Sequence, residues 1–409
     1  MFLIDLTHTS HCRAHTGVQR VSRSLYAELV KIEDILPICY DRFAKCWRPL
    51  SKEEMLYLEP PVNNSPDTAR GTKWTLGQRS RGYLDSLKGR TPRLPIRQYS
   101  GLIVPEIFNT SVGAAYQELR PLLSGPMVAV CHDLLAINYP HLTPMGSVSR
   151  FPTYLEHLRQ FDGIAANSVS TAHDLGAYWS SRNTDELPVI EPILLGTDDL
   201  KVEPFPASQN GKVRILCVGT LEARKNHETL LDAAEMLWKK GRSFELVMVG
   251  MVNLETGSKA MRRIISMEKQ GLSVKWLGAI SESRLHQEYA KAHFTVYPSI
   301  AEGFGLPVAE SMRFGRACVT ANNGAIAEIA QGGGCVMVDT ASARAIADGM
   351  DQLISNDHLR RRLELEATSR ELRSWSEYGT ELISWLKVLA SPEQKPAFQF
   401  EEAVIAKSV

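Results

Sequence analysis

At 409 residues the chain is too long for one ordinary core, so two domains are expected. Hydrophobic residues make up 44% and charged residues 22%, the balance of a soluble globular protein, and no apolar run is long enough to span a bilayer. The 46 basic and 46 acidic residues cancel, so no overall field argues for a nucleic-acid partner.

The N-terminus meets Asp5 too soon for a signal peptide and predicts a first buried strand, Phe2 to Leu6. A polar loop, 7–16, leads to Gly17-Val18-Gln19-Arg20, after which Val18, Val21, Leu25 and Leu29 recur near the helical period. Strand, glycine turn and helix open a Rossmann-like unit, whose ligands lie at the carboxyl ends of strands. Residues 41 to about 100 carry little periodic signal and read as an insertion. Within them Arg70, Lys73, Arg79, Arg81, Lys88, Arg90, Arg93 and Arg97 face Asp85 alone, with Trp74 and Tyr83 interleaved. Such a segment suits an anionic membrane surface or a pyrophosphate-linked acceptor, and equally a solvated basic surface.

Alternation then resumes, with strands at 101–104, 127–131, 162–166 and 188–191 and helices at about 147–160 and 168–178. The strand Met127 to Cys131 delivers His132 and Asp133 to its carboxyl end. His132 there is either catalytic or structural, with Asp133 capping or orienting it. Residues 197–211 are polar, contain two prolines and read as the linker. Strands follow at Val213 to Val218, Phe244 to Val249, Val274 to Leu277 and Phe294 to Tyr297, the first three ending at Gly219, Gly250 and Gly278. Helices such as Glu228 to Lys239 separate them, which predicts a parallel sheet with right-handed crossovers. A short strand near 317–320, a helix near 325–330, a strand near 335–338 and helices at about 342–355 and 358–372 complete the unit. The amphipathic stretch Trp375 to Leu389 closes the chain before a tail from Ser391 that reads as frayed. Domains are thus expected at 1–196 and 212–374, with a terminal helix at 375–390 and a tail at 391–409. Seven cysteines without paired spacing point to a reducing cytoplasm.

Two motifs carry chemistry. The strand ending at Tyr297 feeds Glu302-Gly303-Phe304-Gly305-Leu306-Pro307, and Pro307 sits where a helix would begin. This strand–loop–helix arrangement offers free N–H groups and a partial positive charge to an anion. Glu302 enters the loop, and Glu310, after seven intervening residues, is expected in the first helical turn. A carboxylate accepts two hydroxyl protons at once, so carboxylates on both sides of a phosphate cradle suit a nucleotide sugar. At another strand end, just past Gly219, stand Arg224 and Lys225, a fork and a point charge placed to neutralise a diphosphate.

With Gly17, His132-Asp133, Gly219 with Arg224-Lys225-Asn226, Trp276-Leu277-Gly278 and the stretch Glu302 to Glu310, the chain resembles the retaining glycosyltransferases of family 4. The resemblance covers nearly all of the C-terminal domain and scattered points of the N-terminal one. It implies the GT-B fold, an α/β architecture of two Rossmann-like domains facing across a cleft, with the terminal helix crossing back to the first domain. It implies that Arg224 and Lys225 stabilise the leaving diphosphate and that Glu310 holds the ribose hydroxyls. Glu302 and the N–H groups of Gly303, Phe304 and Gly305, with Leu306 beside them, would hold the donor sugar. His132 would approach the transferring carbon from the opposite domain. Gly17 and Gly219 would admit the phosphates, and the backbone around Leu277 would grip the base.

Charge builds on the departing diphosphate as an oxocarbenium-like sugar forms, and fixed cations and helix N-termini aimed there supply the stabilisation. With no Asp-x-Asp motif and two cations in place, neither a metal nor a cofactor is expected. The expected partners are a nucleotide sugar, GDP- or UDP-linked, and a saccharide or lipid-linked acceptor, with no nucleic acid. The leading reading is transfer of mannose or a related hexose from a GDP donor onto a surface polysaccharide, in the cytoplasm and at the inner face of the membrane. Alternatives are a UDP-sugar transferase, a soluble disaccharide synthase or phosphorylase of the same fold, and a non-catalytic nucleotide-sugar-binding subunit.

Overall fold

The computed structural model describes residues 1–13, 17–59, 74–87, 94–95, 97–182, 187–198 and 212–391. Strands β1 (Phe2–Asp5), β2 (Ile35–Asp41), β3 (Cys46–Pro49), β4 (Leu102–Val104), β5 (Met127–Cys131), β6 (Gly163–Ala166) and β7 (Val189–Pro192) make the first sheet. Their order is β3-β2-β1-β4-β5-β6-β7, and only β3 runs antiparallel to its neighbour. β1, β4, β5 and β6 are buried along their whole length. A parallel sheet covered on both faces requires this, and it explains why these strands read as continuous apolar runs.

The second sheet holds β8 (Val213–Val218), β9 (Phe244–Val249), β10 (Val274–Trp276), β11 (Phe294–Tyr297), β12 (Cys318–Ala321) and β13 (Cys335–Val338). It is parallel throughout, in the order β10-β9-β8-β11-β12-β13. Strand order reverses between β1 and β4 in one sheet and between β8 and β11 in the other. Those reversals open crevices at the strands' carboxyl ends, where ligands of such sheets bind.

The chain leaves the first domain at Thr197–Asp198 and returns at Arg373–Trp375. The two passages touch: Thr197 N donates to Arg373 O at 2.8 Å, and a Cβ at Gly196 would lie 2.5 Å from the Trp375 backbone. The helix Trp375–Leu389 opens with a capping box between Ser374 and Glu377, which satisfies free N–H groups at its start. Trp375, Tyr378, Leu382 and Leu386 recur on one face and are buried, each worth roughly 1.5–3 kcal/mol on the area scale. That face lies on the helix Gly17–Ile32 of the first domain, where Gly379 admits Leu25 and Leu29. It also reaches β6, where a Cβ at Gly163 would meet Trp385 and Leu389 at 2.7 Å. One apolar cluster runs from Ile4 and Leu25 through Trp375 and Leu382 to Phe304 and Val308, so the domains share part of a core.

Residues 41–100 need correction as an insertion. β3 is the edge of the first sheet, pairing with β2 from Ile38↔Pro49 to Asp41↔Cys46. Buried Arg48 forks onto Glu54 at 2.7 and 2.8 Å and reaches Asp41 at 3.0 Å, tying the strand to the helix Lys52–Met55. Trp74, interleaved among those basic residues, is buried and stacks on His11 at 3.8 Å, and Glu54 binds Nε2 of that ring at 2.9 Å. Of the basic residues, Arg70, Lys73, Lys88, Arg90 and Arg93 lie outside the described residues, as do linker residues 199–211 and the tail beyond Ser391. The seven cysteines are all free thiols.

Candidate functional site: the crevice between the two strand-order reversals

At the second-domain reversal β8 runs into Gly219 and then into a 3-10 turn, Ala223–Lys225, that ends at Asn226 in the left-handed region (φ 58°, ψ 34°). Asparagine tolerates that conformation, and the site holds it there. Asn226 Nδ2 donates to Thr340 O at 2.6 Å and Thr229 Oγ1 donates to Asn226 Oδ1 at 2.5 Å. The turn aims Arg224 and Lys225 across the strand ends, with the Lys225 stem packed 3.6 Å from the Cβ position of Gly219. The loop after β11 is stitched to this turn, since Ile300 N and Ser299 Oγ donate to Arg224 O at 2.8 and 3.1 Å.

The side chains then form one ionic knot. Arg224 binds Glu302 Oε2 at 2.5 Å and Glu222 Oε1 at 2.7 Å. Lys225 Nζ lies 2.6 Å from Glu302 Oε1 and donates to Tyr297 Oη at 2.5 Å, 4.8 Å from the centre of that ring. Ser299 Oγ also donates to Glu302 Oε1. Burial alone would raise the Glu302 carboxyl, but Arg224 and Lys225 outweigh it and bring the group down to about 2. Lys225 is lowered, by burial and then by Arg224 beside it. Buried His227, next in sequence but one, is lowered to about 3 by burial and by the same two cations, so it is neutral. A carboxylate offers about four lone-pair sites, and Arg224, Lys225 and Ser299 occupy three on Glu302. Cations that turn toward a phosphate would therefore free Glu302 for hydroxyl groups.

Beyond Glu302, Gly305 (φ +115°) precedes the helix Leu306–Arg313, which carries Pro307 in its first turn. The N–H groups of a first helical turn lack the usual partners, but here Pro307 has no N–H and Val308 N closes onto Gly305 O at 2.9 Å. Phe304 beneath them is buried in the shared core. Glu310 was expected in the first turn, but because the helix starts at Leu306 it lies one turn further in. Tyr289 Oη donates to its Oε2 at 2.7 Å and Arg20 Nη1 donates to its Oε1, so contacts rather than the helix dipole hold it. Tyr289 is fixed by stacking on Phe314 (4.8 Å, 7°), in the apolar cluster that also packs Leu277 at the end of β10. Arg224, Lys225, Glu302 and the glycine loop are thus in direct contact, while Glu310 and Leu277 form a neighbouring group one turn away.

The first domain supplies the facing wall. A Cβ at Gly303 would lie 1.7 Å from His132 O, so the two backbones touch at this point. His132 Nε2 donates to Pro105 O at 2.8 Å, and Asn167 Nδ2 donates to His132 Nδ1 at 3.0 Å, which fixes the tautomer and occupies both ring nitrogens. Burial lowers its pKa and keeps it neutral. Asp133 does not orient the ring, because its Oδ1 accepts Leu135 N at 3.1 Å and turns the chain into the next helix. At the β1/β4 reversal, the Glu106 carboxylate accepts His8 N and Thr9 N at 2.7 Å each, and Asp5 accepts Tyr116 Oη at 2.6 Å. Burial raises both acids, and Glu106 raises Asp5 further. Gly17 starts the helix Gly17–Ile32 with nothing within 4 Å of a Cβ there, so no protein packing demands the glycine. Glu328 clamps the helix Val169–Ser180 from the second domain, accepting Val169 N and Ser170 N at 2.9 and 2.7 Å.

Sequence reasoning missed Glu222, Tyr289, Ser299, Asn167 and Arg20 as partners of the site. Ser299 and Glu222 lay within three residues of named groups and could have been found by that. Arg20 stands three residues past Gly17 and could have been found in the same way, whereas nothing in sequence marks Tyr289 or Asn167, which arrive from other elements.

Residues 201–370 match the sequence pattern of the family described as Glycosyl transferases group 1. The serotype-specific mannosyltransferase WbdA of Escherichia coli is 26% identical over 338 residues, 76% of this chain and 37% of that protein. The chain therefore spans little more than a third of that relative. The O-antigen chain mannosyltransferase B of Escherichia coli is 31% identical over 180 residues, 42% of this chain and 45% of that one. Among solved structures, Anabaena HepE in complex with UDP and glucose superposes with a TM-score of 0.65 at 16% identity, covering 94% of this chain and 99% of that one. A sucrose-phosphate synthase from Thermosynechococcus elongatus gives 0.63 at 16%, covering 94% and 98%. At that identity the likeness is one of fold, two Rossmann-like domains in the GT-B arrangement.

Proposed function

We propose that the chain, whose residues 201–370 match the group 1 glycosyltransferases, acts as a member of that family and transfers a hexose from a nucleotide sugar, mannose from a GDP donor, with retention and without a metal ion. The observation that carries this reading is the knot of Arg224, Lys225 and Glu302 at the β8/β11 reversal, beside a helix N-terminus. A diphosphate entering there would take the two cations, and their charge would stabilise it as it leaves. Glu302, released from them, would hold donor-sugar hydroxyls with the N–H groups after Gly303, and Glu310 the ribose. His132 would serve as a neutral wall, its carbonyl and ring shaping the sugar pocket rather than carrying a proton.

The mannosyltransferase relatives support mannose and a growing surface polysaccharide as acceptor. HepE, solved with UDP and glucose, supports a second reading in which the donor is a UDP-sugar. Donor hydrolysis against GDP-, UDP- and ADP-sugars, with and without EDTA, separates the two. Release of GDP from GDP-mannose, unaffected by EDTA, is expected; release from UDP-sugars alone would replace the donor, and dependence on added metal would overturn the mechanism.

A lipid-linked acceptor would place the enzyme in the cytoplasm at the inner membrane face. The helix Leu76–Leu87 supports that, because Leu76, Tyr83, Leu84 and Leu87 are exposed along one side, with Arg79 beside them. No helix among the described residues is long and apolar enough to cross a membrane. Flotation on vesicles containing anionic lipid should fall when Leu84 and Leu87 become Ser, and unchanged flotation would remove the membrane from this reading.

A further inference from the structure

Arg20 is the only residue of the first domain whose side chain is described in contact with Glu310, and it does more than touch it. One guanidinium arm, Nη1, donates to Glu310 Oε1 in the second domain, and the other, Nη2, to Asp198 Oδ2 where the chain leaves the first domain. Asp198 Oδ1 in turn accepts Trp375 Nε1 at 2.8 Å, at the point where the chain comes back. The second Glu310 oxygen is taken by Tyr289 Oη. A single fork thus joins the helix Gly17–Ile32, both passages between the domains and the carboxylate assigned here to the ribose. Along this chain of contacts the side-chain exposures are 21% for Arg20, 29% for Asp198 and 11% for Glu310.

We propose that Arg20 is a positioning residue that couples recognition of the donor's ribose hydroxyls to the relative placement of the two domains. The proposal rests on the ribose assignment of Glu310. With Tyr289 and Arg20 each fixing one oxygen, the Glu310 carboxylate keeps a lone-pair site on each oxygen, pointed in a set direction, for a vicinal diol. A guanidinium fork fixes that direction because both arms are anchored, which an ammonium cannot do. A diol that settles on Glu310 strengthens the side of the contact chain that runs to Asp198 and Trp375. Conversely, domains displaced at Asp198 pull Arg20 away and leave Glu310 free to turn. The linkage is reciprocal, so the energy by which ribose hydroxyls favour the domain placement equals that by which the placement favours ribose.

The test compares binding of GDP and UDP with binding of their 2′,3′-dideoxy counterparts, by calorimetry on the full-length protein. The native chain should prefer the ribonucleotide about tenfold, and Arg20→Gln should abolish that preference while leaving dideoxynucleotide affinity unchanged. Asp198→Asn, which touches no part of the nucleotide, should reduce the preference to an intermediate value, in the range expected of coupling between sites. Arg20→Lys, retaining charge without the fork, should not restore it. An Arg20→Gln protein that keeps the full preference overturns the proposal, as does an Asp198→Asn protein indistinguishable from native. A native protein that binds ribo- and dideoxynucleotides alike overturns the Glu310 assignment itself, an outcome that is separate from the first two. Melting curves of each variant show whether a loss comes from unfolding, and a variant that melts like the native protein but loses the preference supports the coupling.

Discussion

The two domains place their strand-order reversals face to face and treat charge in opposite ways. At the second, between β8 and β11, Arg224 and Lys225 stand against Glu302 and Glu222, and the two cations hold the Glu302 carboxyl well below its usual range despite burial. At the first, between β1 and β4, burial pushes Asp5 and Glu106 up and His132 down, all toward neutrality. The same architecture therefore yields a charged wall and one in which burial disfavours charge. A charged wall can exchange partners with a diphosphate, whereas a neutral imidazole with both nitrogens bonded suits a neutral sugar. One framework divides leaving-group stabilisation from sugar placement between its halves.

The sharpest way to break this contrast is at Lys225. Lys225→Met removes a cation without removing the stem that packs on Gly219, and donor turnover should fall by about 10²–10³, the usual loss for one donor to a developing charge. Turnover near native would mean that the charged wall does not meet the leaving group. Gly303→Ala tests the contact of the walls, since its Cβ would lie 1.7 Å from His132 O. The loop or the domain must move, so a stability loss of ~1–3 kcal/mol is expected in denaturant melts, with a parallel drop in turnover.

A smaller effect is expected at His132. With both nitrogens bound and its pKa lowered, the kcat/KM profile should show no limb near pH 6.5, and His132→Gln should not alter its shape. A limb that vanishes in that variant would make the imidazole a proton carrier. The smallest effect concerns Asp5, whose folded pKa is raised by burial and by Glu106 to about 7. Folding then favours the protonated acid, so its contribution is complete below the ordinary value of 3.8 and is lost as pH rises through about 7. Thermal melts between pH 5 and 8 should decline by a few degrees, and Asp5→Asn, whose oxygen still accepts from Thr7 while its NH2 turns to Tyr116 Oη, should flatten the decline.

Much of the charged wall could be read from sequence, because strand, glycine and cation pair are local signals within 213–225, and strand, glycine loop and proline are local signals within 294–307. The β8 to β13 strands were legible for the same reason, being apolar runs that end at turns. The neutral wall was not legible. His132 could be placed at the end of β5, but its partners Pro105 and Asn167 come from two other strand ends, which only the fold brings near. β2 and β3 went unread because Pro37 interrupts one and the other carries Arg48, whose charge is explained only by Glu54 and Asp41. Glu310 was placed a turn too early, since the start of its helix depends on the left-handed Gly305.

The two passages between the domains lie side by side, with Gly196 against the Trp375 backbone and Thr197 N bonded to Arg373 O. A single strand of chain would be a ball joint, free to swing and twist in any direction. Two strands pinned together are a spine, and a body hung on a spine has one easy rotation. The crevice would then open as a book does, along an arc, bringing Arg224 and His132 back to the same facing positions at each turn of the page.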